Sequence, residues 1–516
     1  MRILLLLLVT CLTTQAIEPK RVLVLYRQQD ASSKALAETY AKGRNIPAEN
    51  LVGLATPEGG TISREDYNTF IRDPLINLYD EKQWWRRGPD ATGRIVPLAN
   101  ERQVILLMRG LPYRIKRTPT PKGANGKPQR IEPGKQDEAS VDSELALFGI
   151  QGTSASGPLT NPYYKHQSEL LTAQIPALFL TCRIDGPTVA DCERMMADAL
   201  AVEKTGLWGT CYLDQARKGK GYEAGDDWIR AIARRNLKEG IPTVMDTNRD
   251  TFLTNYPMTD AALYFGWYAH HRNGPLLNPR FVFKPGAIAV HLHSFSASEL
   301  RNTKKRWTGP LIAAGATATL GNVWEPYLTL THDFEIFHDR LLKGFSLVEA
   351  AHMAIPAHSW QSLVIGDPLY RPYADFRKEP SFAEDNRAYR AFRLAVKNWG
   401  RDDAKLMTKV RTAAAKMNSG KLYEALGLRL LQEGRTEQAL AFFDSAERIY
   451  PRDADKLRQT LHRIEIYRHR HDKDKALELI REGQQRFADL PEAKALIGLK
   501  NILNPPAPPA AGSTGG

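Results

Sequence analysis

The sequence predicts an α/β fold, a mostly parallel doubly wound sheet, followed by an all-α helical repeat segment. Two observations lead there. Short apolar strand patterns alternate with helix-period segments through residues 17–373, and strands joined by helices form parallel sheets covered on both faces. Beyond Tyr373 the composition turns to Ala, Arg, Lys, Leu and Glu at helical spacing.

The chain opens with Met1-Arg2, an unbroken apolar run from Ile3 to Val9, and small residues around Thr14-Gln15-Ala16. This is the layout of a cleavable secretory signal over residues 1–16, too short to span a bilayer. Cys11, preceded by Thr10, leaves lipidation open as an alternative. Cleavage after Ala16 would leave no transmembrane segment and three cysteines, Cys182, Cys192 and Cys211, too few for a disulfide scaffold, though one pairing is conceivable.

Arg21 to Tyr26 reads as a buried strand, and a helix starts near Ser32 or Ser33 with Leu36, Ala37, Tyr40 and Ala41 on one face. Further strands are expected at Gln103–Met108, Ala177–Thr181, Gly209–Leu213 and Pro242–Met245. Helices fall between them, one from Thr188 through Val202 and one over Asp226–Lys238 closed by Gly240. Arg117 to Gln136 has almost no apolar residue and reads as an exposed loop. Strands resume at Ala261–Ala269 and Ala287–Leu292. Helical material around Pro310–Ala314, a strand at Thr317–Leu320 and helices at Asp333–Leu342 and Leu347–Ile355 follow. Ser362–Ile365 is the last strand. A sub-domain break is placed near 247–260.

Residues 374–418 read as a helical linker and 419–503 as repeats of tetratricopeptide type. Leu426-Gly427, Gly434, Ala439, Phe443, Ala446 and Pro451 carry the spacing, with a weaker copy at Ala476, Ile480 and Gly483. An α-hairpin cap on the α/β domain is the alternative. Residues 504–516, rich in Pro, Ala, Gly and Ser, read as a disordered tail.

Lys and Arg outnumber Asp and Glu by 71 to 58, for a net charge of +13. The excess is dispersed, and no nucleic-acid motif accompanies it.

Ligands of open parallel sheets bind beyond the C-terminal strand ends. Those ends carry Arg109, Arg183, Asp185, Asp214, Asp246, Trp267, His270-His271, His293, Ser294, Ser296 and Asp367. Arg109, Arg183, Asp185, Asp214, Trp267, His291, His293 and Asp367 are the candidate ligand-binding residues. His291 and His293 alternate on one strand, so both imidazoles fall on one face. With Asp185, Asp214 or His270 they form a candidate site for a divalent metal such as zinc, the one cofactor the sequence suggests. Ser294 and Ser296 are candidate nucleophiles, with His270 or His271 as base. Hydroxyls that merely cap the following segment are the plainer reading of both serines. Asp367, in Gly366-Asp367-Pro368, suits an Asx-type turn.

Several stretches resemble an uncharacterised family of predicted extracellular bacterial proteins found in genomes that encode exosortase. They include Lys42 to Pro47, Gly110-Leu111-Pro112, Val141 to Ala146, Arg183 to Pro187 and Gly266-Trp267-Tyr268. Pro285 to Ser296, Gly321 to Tyr327 and Gly366 to Pro372 complete the set. The resemblance implies export and assigns no activity. The order of strands ending at His270-His271, at His293-Ser294 and at Gly366-Asp367-Pro368 also resembles gingipain and caspase cysteine peptidases. There one strand ends in the catalytic His and the next in the catalytic Cys. No cysteine follows Cys211, so the position where that resemblance implies a thiol is empty or held by serine.

Three readings follow. The chain is an envelope or extracellular protein whose caspase-like domain binds a polypeptide or cell-surface component, in an accessory role, while its helical repeats recruit a protein partner. It is a hydrolase using Ser294 or Ser296 with His270 or His271. Or it is a metal-dependent hydrolase built on His291 and His293.

Overall fold

The computed structural model describes residues 16–122, 126–127, 129, 131–152, 157–168, 170, 175–249, 251–373 and 386–505. The stretch expected to be a signal peptide, apart from Ala16, lies outside the described residues, as does most of the stretch expected to be a C-terminal tail. Among the described residues no helix is long and apolar enough to cross a membrane.

The α/β part is built on ten strands: β1 (Val22–Arg27), β2 (Leu51–Leu54), β3 (Val104–Met108), β4 (Leu180–Ile184), β5 (Thr210–Asp214), β6 (Thr243–Asp246), β7 (Ala261–Trp267), β8 (Ile288–Leu292), β9 (Thr319–Asn322) and β10 (Ser362–Ile365). They form two sheets, ordered β9-β10-β4-β3-β1-β2 and β6-β5-β7-β8. In each half the first strand has the second on one side and the third on the other, so β2-β1-β3-β4 and β6-β5-β7-β8 repeat one winding. All pairs within β2-β1-β3-β4 and within β6-β5-β7-β8 are parallel. The halves meet where Ile288 of β8 bridges Ala318 in parallel, and Ala289 N–H donates to the Ala318 carbonyl at 3.1 Å.

Every residue of β3, β4, β5, β7 and β8 is buried, because helices cover both faces. The principal helices are α1 (Ala31–Arg44), α2 (Val189–Thr205), α3 (Glu223–Glu239), α4 (Phe334–Leu342) and α5 (Leu347–Ala354). Their ends obey local chemistry. Asp30 accepts the Ser32 and Ser33 amides to cap α1, and Thr188 and Asp191 form a capping box on α2. Gly240, in the left-handed region at φ 71°, closes α3 before β6.

Three features depart from the sequence pattern. β4 begins at Leu180, since Leu180 pairs with Val104, and the strand accommodates Arg183 because two carboxylates neutralise it. The β4 expectation was therefore three residues early at both ends. A hairpin of Trp85–Pro89 with Ile95–Asn100 was not foreseen, its strands being rich in Arg, Gly and Pro. Residues 247–260 connect β6 to β7 inside the second sheet, whereas the chain passes between sheets in the turn after α2.

The C-terminal helices are α6 (Arg387–Trp399), α7 (Asp403–Lys416), α8 (Gly420–Gln432), α9 (Thr436–Ile449), α10 (Asp453–His469), α11 (Lys473–Arg486) and α12 (Lys494–Leu503). Consecutive helices pack on one another. Gly427 is required by close approach, since a Cβ there would lie 2.7 Å from the Phe443 ring. This segment shares one apolar core with the second sheet, where Phe392, Leu426 and Leu461 join Tyr212, Val244 and Tyr264.

Candidate functional site

The strand-end residues sort into three places. Asp367 leaves first. β10 runs antiparallel to β9, and β9 follows β8 in parallel, so β10 ends at the edge where β8 begins. There Asp367 accepts hydrogen bonds from Tyr40 Oη (2.8 Å) and Arg44 Nε (2.6 Å), and Tyr370 Oη donates to the Gly286 carbonyl. Arg44 also binds Glu203, so this group ties the ends of α1 and α2 to the last strand.

The second place is a buried ion cluster beyond β3 and β4. Arg183, fully buried, is held by Asp142 and Asp185, and Arg301 reaches Asp185 from the loop after β8 at 2.9 and 3.0 Å. Arg109 donates to the Gly186 and Pro187 carbonyls. Burial opposes the charge on Asp185, but the arginines prevail and its pKa falls below the ordinary carboxylate value. Every charge here has a partner, and the cluster clamps the two halves together.

The third place is open. A cavity of about 290 Å³ lies beyond the ends of β5, β6, β7 and β8, and each of these strands contributes to it through the loop that follows. Lys218 comes from the loop after β5, Arg249 and Thr251 from that after β6, Tyr268, His270 and Asn273 from that after β7, and His293 from β8. No described lining residue is a carboxylate.

His293 is held on several sides. Its Nδ1–H donates to the Ser294 carbonyl at 2.6 Å, which leaves Nε2 as the unprotonated nitrogen. The ring stacks on Tyr268 (centroids 4.3 Å apart) and meets His270 edge-on at 5.1 Å. Burial, with His270 and Arg306 nearby, lowers its pKa, so the imidazole is neutral near pH 7. His270 is exposed and takes a hydrogen bond on Nε2 from Arg306 Nη1 at 2.7 Å, while His271 accepts the Arg306 amide on Nδ1. Lys218 Nζ donates to the Tyr268 carbonyl at 2.9 Å.

The serines stand differently. Ser294 is buried, and its carbonyl is the partner of His293 Nδ1. Ser296, 1% exposed, accepts the Asn322 amide on Oγ at 3.0 Å, and its carbonyl takes Trp307 N–H and the Thr308 hydroxyl. These bonds fasten the loop after β8 to β9.

His291 does not share a ligand point with His293. It lies inside β8, with Nδ1 bonded to Tyr264 Oη at 2.8 Å and Nε2 accepting the Ala269 amide at 3.1 Å. Tyr264 Oη in turn donates to Asp214 at 3.2 Å. Trp267 donates its indole N–H to Asp226. Among the described residues no group of three His, Cys, Asp or Glu is placed to hold a metal ion. Cys182, Cys192 and Cys211 are free thiols, all buried away from the cavity.

Sequence reasoning missed Lys218, Arg249 and Tyr268. Lys218 and Arg249 lie within the loops, past the first polar residue after each strand, and Tyr268 fell inside the strand expected at Ala261–Ala269. The signal that could have found the first was the exposed Lys218-Gly219-Lys220-Gly221 stretch that follows β5.

No family model matches the chain, and no curated protein matches it. A solved chain named "Structure of Protease" is similar at 10% identity over 71% of this chain and 81% of that chain, with a TM-score of 0.39.

Proposed function

We propose that the protein is a binding protein whose α/β domain captures a carboxylate group of a polypeptide partner in the cavity beyond β5–β8. One observation carries this reading: the described lining brings Lys218, Arg249, His270 and His293 together without a carboxylate. Two full cations and two imidazoles, with no carboxylate among the described lining residues, attract an anionic group, and the Tyr268 ring gives it an apolar wall. At about 290 Å³ the cavity suits one side chain or a chain terminus rather than a whole folded surface. The helical segment, read as tetratricopeptide-like repeats, supplies a second contact surface for that partner. The motif resemblance to exported proteins of exosortase-encoding genomes supports an envelope or extracellular setting and an accessory role in sorting.

The test is calorimetric titration of purified protein with an Asp/Glu-rich decapeptide and its Asn/Gln counterpart. The acidic peptide should bind at least about tenfold tighter, and Lys218→Ala with Arg249→Ala should remove the difference, a tenfold ratio being about 1.4 kcal/mol. Equal binding of the two peptides would overturn the proposal.

A second reading rests on the His293 tautomer. A bare Nε2 facing a cavity is placed to take a proton from water, so hydrolysis without a side-chain nucleophile is its chemistry. Peptide or ester hydrolysis lost in His293→Gln, yet kept in Ser294→Ala, would favour it over capture alone.

A further inference from the structure

A second cavity, of about 550 Å³, lies between the edge strand β6 and the helical segment. Its walls are apolar, with Val244 and Leu253 on the α/β side and Leu428, Leu461 and Leu499 from α8, α10 and α12. Into this lining come two acidic residues, Asp246 at the end of β6 and Glu465 of α10. Asp246 is 8% exposed. Its Oδ1 accepts from Asn248, but its Oδ2 has no partner. Glu465 Oε2 takes Arg468, while Oε1 has none. Directly beside Asp246, in register across the ladder, stands Asp214, fully buried, whose Oδ1 is also unpaired.

Two carboxylate oxygens without donors in the lining of one largely apolar chamber, with a third behind them on the neighbouring strand, form an unusual arrangement. Buried carboxylates are ordinarily paired, because an unmet charge there costs several kcal/mol. The cations that line the chamber leave these two oxygens unmet. Arg230 is bonded to Asp227, Arg470 to Glu437 and Thr436, and His469 to Thr247 and, at 3.6 Å, to the other oxygen of Glu465; Arg234, also in the lining, makes no bond to either Asp246 Oδ2 or Glu465 Oε1.

We propose that this chamber is a binding site for an apolar primary amine, its ammonium group held by Asp246 and Glu465 and its hydrocarbon body by the leucine walls. An ammonium presents three donors, which suits several separate acceptor oxygens better than a single hydroxyl would. Burial and the neighbouring acidic groups raise the pKa of Asp246 to about 7, and an arriving cation would reverse that cost. The volume is that of a small-molecule pocket, and its place between two structural units is where such pockets concentrate. The site is separate from the basic cavity and does not depend on the reading given for it.

The experiment compares 2-naphthylmethylamine with its neutral isostere 2-naphthylmethanol by calorimetry on the full chain at pH 8. The amine should bind at least tenfold tighter than the alcohol. Asp246→Asn should erase that preference while leaving the alcohol unchanged. Leu431→Trp, which fills the chamber from α8, should weaken both, and Lys218→Ala should affect neither. If Asp246→Asn fails to fold, Glu465→Gln gives the same comparison. Equal binding of amine and alcohol, no binding of either at millimolar concentration, or a preference that survives both carboxylate substitutions would overturn the proposal.

Discussion

The imidazole of His291 lies flat on the indole of Trp307, with ring centroids 3.5 Å apart and planes 10° from parallel. Both its nitrogens are already bonded, to Tyr264 and to the Ala269 amide. His291 is thus a core residue, and His291→Ala should cost about 3 kcal/mol by opening a void and leaving the half-buried Ala269 amide unpaired. His293→Ala, at the cavity wall, should cost about 1 kcal/mol or less. Urea unfolding of the two variants checks the contrast. Stoichiometric zinc in the wild-type protein, lost in both variants without unfolding, would sink this assignment.

Arg183 joins Asp142 and Asp185 where no solvent reaches. Arg183→Met should destabilise the fold by about 3–5 kcal/mol, because two carboxylates lose their shared counter-charge. Arg183→Met combined with Asp142→Asn should recover part of the loss. A double variant no more stable than the single one would show that the two do not act as a pair.

Burial lowers the pKa of His332 and His338 to about 3 and of His352 to about 4. Such histidines bind protons in the unfolded chain before the folded one. Their contribution is complete above pH 6.5 and is lost as the pH falls towards 4. The raised pKa of Asp246 acts in the opposite sense between pH 7 and 4. His352→Gln should therefore flatten the acid-side slope of stability by up to about 1.4 kcal/mol per pH unit, and Asp246→Asn should steepen it. Denaturant titrations at several pH values between 4.5 and 7 read both slopes, and an unchanged slope in either variant would contradict its part.

Burial pushes the thiols of Cys182, Cys192 and Cys211 up, and none is paired. A thiol-specific reagent at pH 8 should leave all three untouched in the native protein and label them on unfolding. Rapid native labelling of any one would mean that its surroundings open locally.

Ser296→Ala removes an acceptor for the buried Asn322 amide and should cost about 1–2 kcal/mol. It should leave binding of the acidic peptide unchanged. Loss of binding without loss of stability would give Ser296 a role in the cavity.

Most of the sheet was legible because its strands are short apolar runs between helix signals. The expected strand at Ser362–Ile365 is found unchanged, and Gly240 closes α3 as its position suggested. The hairpin at Trp85 was hidden because its arginines and glycine contradict strand propensity, and pairing overrides it. The candidate site was legible only at His270 and His293. What separates Asp367 from them is the direction of one strand, and no local pattern encodes that. Likewise, nothing local distinguishes His291 from His293. Their difference is that Trp307 packs on the first and Tyr268 on the second.

β6 is the outer strand of its sheet, and α8 lies along it, where Gln432 Nε2 donates to the Thr243 carbonyl at 3.4 Å. A bare sheet edge is a template for pairing with other chains. The helices therefore act as a guard on that edge as well as a wall of the shared core, and the two parts are not separable. A chain cut after Tyr373 would expose both an unpaired strand and the apolar face around Val244 and Tyr212. It should self-associate through them, so any natural or laboratory shortening of the C-terminal segment trades solubility along with whatever that segment binds.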